Sequence, residues 1–159
     1  MQNDLDITDS FLSPLFEEIF VVKERDFSIE YNSLGAGHQK ILMLVNTKSA
    51  DYLESEELLF LKTIIEKGLR RSFDDVWVVN LDRFPSKNLE DIFNHFQPTQ
   101  LIAWGLDQWL GSQGVNLAVH KSGLVNGVEI IQALSLTAYK TEPAQKARLW
   151  ATLQKVFFN

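Results

Sequence analysis

The stretch Lys40–Asn46, KILMLVN, constrains this chain more than any other. Five consecutive apolar residues, Ile41 to Val45, stand between a glycine-bearing loop, Leu34-Gly35-Ala36-Gly37, and a polar run, Asn46-Thr47-Lys48-Ser49. A continuous apolar run of this length, bounded by turn signals, suits a strand buried on both faces. Such strands belong to parallel sheets that helices cover on both sides.

The chain after this run keeps the same grammar. A helix is expected over about Tyr52–Leu69, where Leu58, Leu61, Ile65 and Leu69 follow helical spacing. Asp74-Asp75 precede a second strand, Val76–Leu81. Pro85-Ser86 opens a shorter helix whose Leu89, Ile92, Phe93 and Phe96 give the i, i+3, i+4, i+7 pattern. Leu101–Gly105 reads as the third strand, and Asp107–Leu110 as one helical turn capped by Asp107. Val115–Val125 predicts an irregular or hairpin segment with Asn126-Gly127 as its tight turn. Val128–Ser135 follows as the fourth strand. The last helix starts near Thr141, with Pro143 in its first turn and Leu149, Trp150, Leu153, Val156 and Phe157 on its buried face. This alternation predicts an α/β fold, a three-layer α/β/α sandwich around a short, mainly parallel sheet of about four strands.

The chain has 159 residues, enough for one domain, and 45% of them are hydrophobic, enough for a packed core. It has no Cys, which excludes disulfides and thiolate chemistry. The first ten residues, MQNDLDITDS, lack the basic and apolar regions of a signal peptide. No apolar run reaches the roughly 18 residues of a membrane span. The expectation is a soluble, cytoplasmic protein without a membrane partner.

The formal charge of −6 is unevenly placed. Residues 1–39 hold eight acids and two bases, and residues 40–159 hold thirteen of each. The chain thus divides into an acidic arm with a short helix and connector, 1–39, and an α/β domain, 40–159. Ser13-Pro14 marks the helix start. Leu15, Phe16, Ile19 and Phe20, with Phe11 before them, make an apolar stripe. The stripe either packs on the chain's own sheet or docks on a protein partner with a basic rim. Neither half has the basic face that direct nucleic-acid binding needs, so such binding is expected to be weak or absent.

In an open parallel sheet, ligands bind beyond the carboxyl ends of the strands. Four tips follow: Asn46-Thr47-Lys48, Asn80-Asp82-Arg83, Gly105-Asp107-Gln108 and Ser135-Thr137-Tyr139. Asn46, Asn80, Gly105 and Ser135 are the candidate ligand-binding residues, against the plainer reading of solvated strand ends. After the first strand there is neither G-x-G-x-x-G nor G-x-x-x-x-G-K-[ST]. Leu34-Gly35-Ala36-Gly37 precedes a strand, where its glycines serve a turn. His38, His95 and His120 are scattered and lack partners at ligand spacing, so no metal site is expected. Ser55 and Ser135 lack the G-x-S-x-G elbow. No catalytic residue and no cofactor are assigned.

The C-terminal segment carries a resemblance. Leu134-Ser135-Leu136, then Glu142-Pro143, Lys146, Leu149-Trp150 and Leu153, resembles the end of the psi subunit of bacterial DNA polymerase III. There a small-residue loop precedes an acid- or Asn-Pro helix with a Leu-Trp pair. Ile41–Asn46, Trp77–Leu81 and Ile102-Ala103-Trp104-Gly105 fall where the three first strands of that family should, so the likeness spans about 40–159. It implies a uracil-DNA glycosylase-like fold. Glycosylases, however, carry a Gly- and Pro-rich loop after the first strand and a His-Pro-Ser type loop after the last. Asn46-Thr47-Lys48-Ser49 and Leu134-Ser135-Leu136-Thr137 have neither. The resemblance therefore implies a scaffold without chemistry, acting as an accessory subunit of a DNA replication or repair assembly. In that family an N-terminal peptide docks on the clamp loader and the folded domain binds the chi subunit; the arm here matches by location. The alternatives are a glycosylase-fold enzyme acting on a damaged base through Asn46, Asn80 and Ser135, and a nucleotide- or small-molecule-binding α/β domain.

Overall fold

The computed structural model describes residues 32–48, 52–84 and 86–158. The expected arm helix, with Phe11, Leu15, Phe16, Ile19 and Phe20, lies outside the described residues. Five strands form one sheet: β1 Ile41–Val45, β2 Val76–Asn80, β3 Gln100–Trp104, β4 Lys121–Val125 and β5 Val128–Ala133. Their spatial order is β2-β1-β3-β5-β4. β1 lies parallel to β2 on one side and β3 on the other, with Ile41 opposite both Val76 and Gln100. β3 and β5 are also parallel.

Five helices cover the sheet: α1 Ser55–Thr63, α2 Leu89–Phe96, α3 Asp107–Ser112, α4 Ala138–Thr141 and α5 Pro143–Phe158. Side chains alternate along a strand, and the two faces of β1 divide accordingly. Leu42 and Leu44 pack with Ile92, Phe96 and Leu110 from α2 and α3. Ile41, Met43 and Val45 pack with Leu61 of α1, Tyr139 of α4, and Leu149 and Leu153 of α5. A right-handed crossover from β1 to β2 and its return across β1 to β3 put their helices on opposite faces, as α1 and α2 are. The result is a three-layer sandwich. All five β1 residues are at most 2% exposed, and each such burial contributes about 1.5–3 kcal/mol.

Several elements differ from the sequence reading. The sheet has five strands, because Lys121–Val125 is a regular antiparallel edge strand joined to β5 by Asn126-Gly127. Both turn residues have positive φ, 52° and 83°, as that turn requires. α1 begins at Ser55 and ends in a π-helical turn, Ile64–Gly68. α2 begins at Leu89 rather than at Pro85-Ser86, because the Asn88 side chain accepts the N–H groups of Glu90 and Asp91. Asp107 is the first helical residue of α3 and not its cap, which is Leu106. The last helix starts at Pro143, close to the expected start, and a short separate helix, α4, precedes it and stops before Glu142. Asp75 closes a reciprocal cap with Ser72 just before β2. The outer edge of β2 is covered by Leu34, which exchanges two hydrogen bonds with Val78 at 2.8 and 2.9 Å.

Trp150 departs most from expectation. Leu149 and Leu153 are buried, but Trp150 is half-buried at the margin of the core. Its ring lies over Gly68 so closely that a Cβ there would come 1.9 Å from Trp150 Cζ3. Gly68→Ala should therefore displace the indole and cost about 1–3 kcal/mol. In a Trp150→Ala background the same change should be neutral or stabilising, since Ala exceeds Gly in helix propensity by about 1 kcal/mol. Urea denaturation of the four proteins measures the coupling, and equal penalties in both backgrounds would contradict this packing.

Candidate functional site

The sheet changes direction at β1 and β3: from β1 the chain runs to one edge, from β3 to the other. Ligands in open α/β sheets bind outside the carboxyl ends of strands at such a point. A hollow of about 190 Å³ opens there. Its apolar wall is Val45, Trp104 and Leu136, each at most 3% exposed, with Leu53 beside them. Its polar groups come from the tips of β1 and β5 and from α1: Asn46, Thr47, Ser135, Thr137 and Glu57.

Asn46 and Ser135 of the four candidates thus line one hollow. Gly105 stands behind it. It takes φ +69°, which a side chain would strain, and donates its N–H to Ala133 O at 2.9 Å. A Cβ there would approach Ser135 Cβ to 3.0 Å, so a glycine lets the β3 and β5 tips come together. Asn80 is elsewhere. It is 1% exposed, and its amide is committed to backbone. Oδ1 accepts from Thr47 N–H at 3.0 Å and Asp82 N–H at 3.2 Å, while Nδ2 donates to Thr47 O at 2.8 Å. It fixes the β1 tip to the β2 tip and lines a separate hollow of about 270 Å³ with Tyr52, Arg83 and Phe84. The proposed partner-binding residues Phe11, Leu15, Phe16, Ile19 and Phe20 lie outside the described residues.

The chemistry available in the first hollow is hydrogen bonding. Ser135 Oγ sits 3.2 Å from Thr137 Oγ1, not beside a base. Glu57 is the one carboxylate on the wall, and it is half-buried. Among the described residues no three His, Asp or Glu side chains are grouped to hold a metal. Glu56, one residue before Glu57, pairs with Lys140 of α4 at 2.5 Å. The hydrogen bond from Lys140, and then its charge, hold the Glu56 carboxyl below its ordinary value. Both groups are solvated, so water screens the pair.

Behind the hollow, Tyr139 anchors the β5 tip. Its ring meets Trp104 edge-on at 6.2 Å, its Oη accepts Leu134 N–H at 2.9 Å, and Oη lies 2.7 Å from His120 Nε2. Burial pushes the Tyr139 hydroxyl up to about 12, against the bond from Leu134, which lowers it. The phenol is therefore neutral at physiological pH.

Trp104 and Glu57 were not picked out from sequence. Trp104 ends a buried central strand, and an indole there needs a partner for its N–H. Glu57 lies in the first turn of the helix after β1, which faces the strand tips. Both positions are readable once strand and helix are placed. Trp104 Nε1 is the one buried side-chain polar atom without a partner among the described residues. Trp104→Phe removes that orphan donor and its desolvation cost of about 1–3 kcal/mol, offset by lost ring contacts. The expected melting temperature is unchanged or higher, and a large fall would show that the lost ring contacts outweigh the orphan donor.

No protein-family model matches the sequence, and no curated protein matches it. Among the described residues no helix is long and apolar enough to cross a membrane.

Proposed function

We propose that this chain is a non-enzymatic, psi-like accessory subunit of a DNA replication or repair assembly, working in the cytoplasm by binding protein partners. One observation carries the reading. The hollow at the strand tips of this sandwich has hydroxyls, an amide and a single carboxylate, Glu57, where base excision needs an acid–base pair. Water activation and stabilisation of a leaving base both require positioned titratable groups. Ser135 neighbours Thr137, and Asn46 supplies one amide. His120 faces Tyr139 on the far side of the β5 tip. The resemblance at the C-terminal end also supports it: Pro143 opens α5, and Leu149 and Leu153 bury its inner face. Phe11, Leu15, Phe16, Ile19 and Phe20 are the proposed contacts of the acidic arm. Direct DNA binding is proposed to be weak.

The test is reconstitution. The purified chain is mixed with the clamp loader and the chi protein of its own source and examined by size-exclusion chromatography, alongside excision assays on uracil- and mismatch-containing DNA. Co-elution with either protein and no excision are expected. Excision abolished by Asn46→Ala, or no complex with either protein, would overturn the reading.

A second reading, ligand binding at the same hollow, is favoured by its make-up, an apolar wall of Val45, Trp104 and Leu136 beside the polar groups of Asn46, Thr47, Ser135 and Thr137. A small neutral molecule with a hydrogen-bond acceptor and a flat face, such as a free nucleobase, suits that wall. Thermal stabilisation by uracil that Asn46→Ala removes would support it.

A further inference from the structure

A larger hollow lies at the opposite side of the β5 tip, where α5 crosses the start of β4. It encloses about 580 Å³, within the range of small-molecule sites. His120, Lys121, Leu134, Gln145, Arg148 and Thr152 are among its lining residues, and none of the lining residues is acidic. Lys121 and Arg148 have no carboxylate within ion-pairing distance among the described residues. Two cations that share a concave wall without a counter-charge are a standing attraction for an anion.

The neutral part of the wall is held in place. His120 has φ +63°, a conformation a non-glycine residue keeps only when its surroundings fix it. Its N–H donates to Gln132 O at 2.7 Å, and its carbonyl accepts the Thr152 hydroxyl of α5 at 2.7 Å. Tyr139 Oη already accepts Leu134 N–H, so its own proton goes to His120 Nε2. That assignment leaves no buried proton without a partner, and it makes the imidazole the Nδ1–H tautomer. Nδ1 has no protein partner and is not sealed from solvent, so it is a free donor of a residue that lines the hollow. Burial first, and the Arg148 charge second, hold His120 below its ordinary pKa, which keeps the ring neutral.

We propose that this hollow binds a small phosphate monoester, with the phosphate held by Lys121 and Arg148. The Arg148 fork suits two phosphate oxygens, and Lys121 serves as a point charge. His120 Nδ1–H and the Gln145 amide are the neutral donors. Leu134, with Val119 and Ala151, supplies the apolar wall for the rest of the molecule. A dianion fits this set better than a carboxylate, because two cations face it and no acid competes. The site is separate from the strand-tip hollow and does not depend on the proposed role in replication.

The experiment is NMR titration of the full chain with inorganic phosphate and with glucose 6-phosphate, against sodium chloride at matched ionic strength. Saturable shifts are expected at residues 119–121, 134 and 145–152 and in the His120 ring. Lys121→Gln with Arg148→Gln should weaken binding about tenfold or more, the loss of charge-assisted hydrogen bonds. Both side chains are exposed, so the double variant should melt as the parent does. The proposal is overturned by an absence of saturable shifts at about 10 mM ligand, an affinity far below ordinary metabolite binding. It is equally overturned by shifts that chloride reproduces or that survive in the double variant. A response to a single-stranded oligonucleotide alone would assign the cavity to a nucleic-acid backbone instead.

Discussion

Everything in this structure depends on one strand that meets no water. β1 is covered by α2 and α3 on one face and by α1, α4 and α5 on the other, and it is flanked by parallel neighbours on both edges. A strand in that position offers its backbone groups only to β2 and β3, so the sheet order follows from its burial. The helices must divide between the faces, because each apolar side chain of β1 needs cover. The chain then turns outward in both directions, and the opening at the strand tips is a consequence of that divergence.

The polar groups around the sheet are arranged to hold its carboxyl end together. Asn80 ties the β1 tip to the β2 tip through two bonds to the Thr47 backbone. Tyr139 ties the β5 tip to His120, and Gly105 lets the β3 tip close on Ser135. These side chains act on the backbone, so the groups left facing the first hollow are few and uncharged apart from Glu57. Two cations without an ion-pair partner among the described residues, Arg148 and Lys121, lie on α5 and β4, on the other side of the β5 tip.

How much of this was legible in the sequence depends on where the information resides. β1, β2 and β3 were readable because burial on both faces writes a continuous apolar run. β4 was legible only in part: Asn126-Gly127 marked a hairpin turn, but Lys121, Gly123 and the 76%-exposed Leu124 show no strand pattern; its pairing is supplied by β5 and that turn. Trp150 matched the buried stripe of α5, but its place at the core margin depends on Gly68, 82 positions earlier and visible only in three dimensions. Ligand-site rules for parallel sheets pointed to the strand tips, where Asn46 and Ser135 line one hollow. They could not separate Asn80, whose amide is spent on Thr47, 33 residues away. Trp104 was hidden because an apolar ring at a strand end reads as core, which most of its surface is.

The central claim is that the fold is organised on β1, and native-state amide hydrogen exchange tests it most directly. The N–H groups of Leu42, Met43 and Leu44 should exchange only through global unfolding, with protection equal to the stability from urea denaturation. Those of β4, paired on one side and exposed at Leu124, should exchange at lower free energy. Exchange in β1 that is faster than in β4, or that proceeds by local opening below the global stability, would contradict the account.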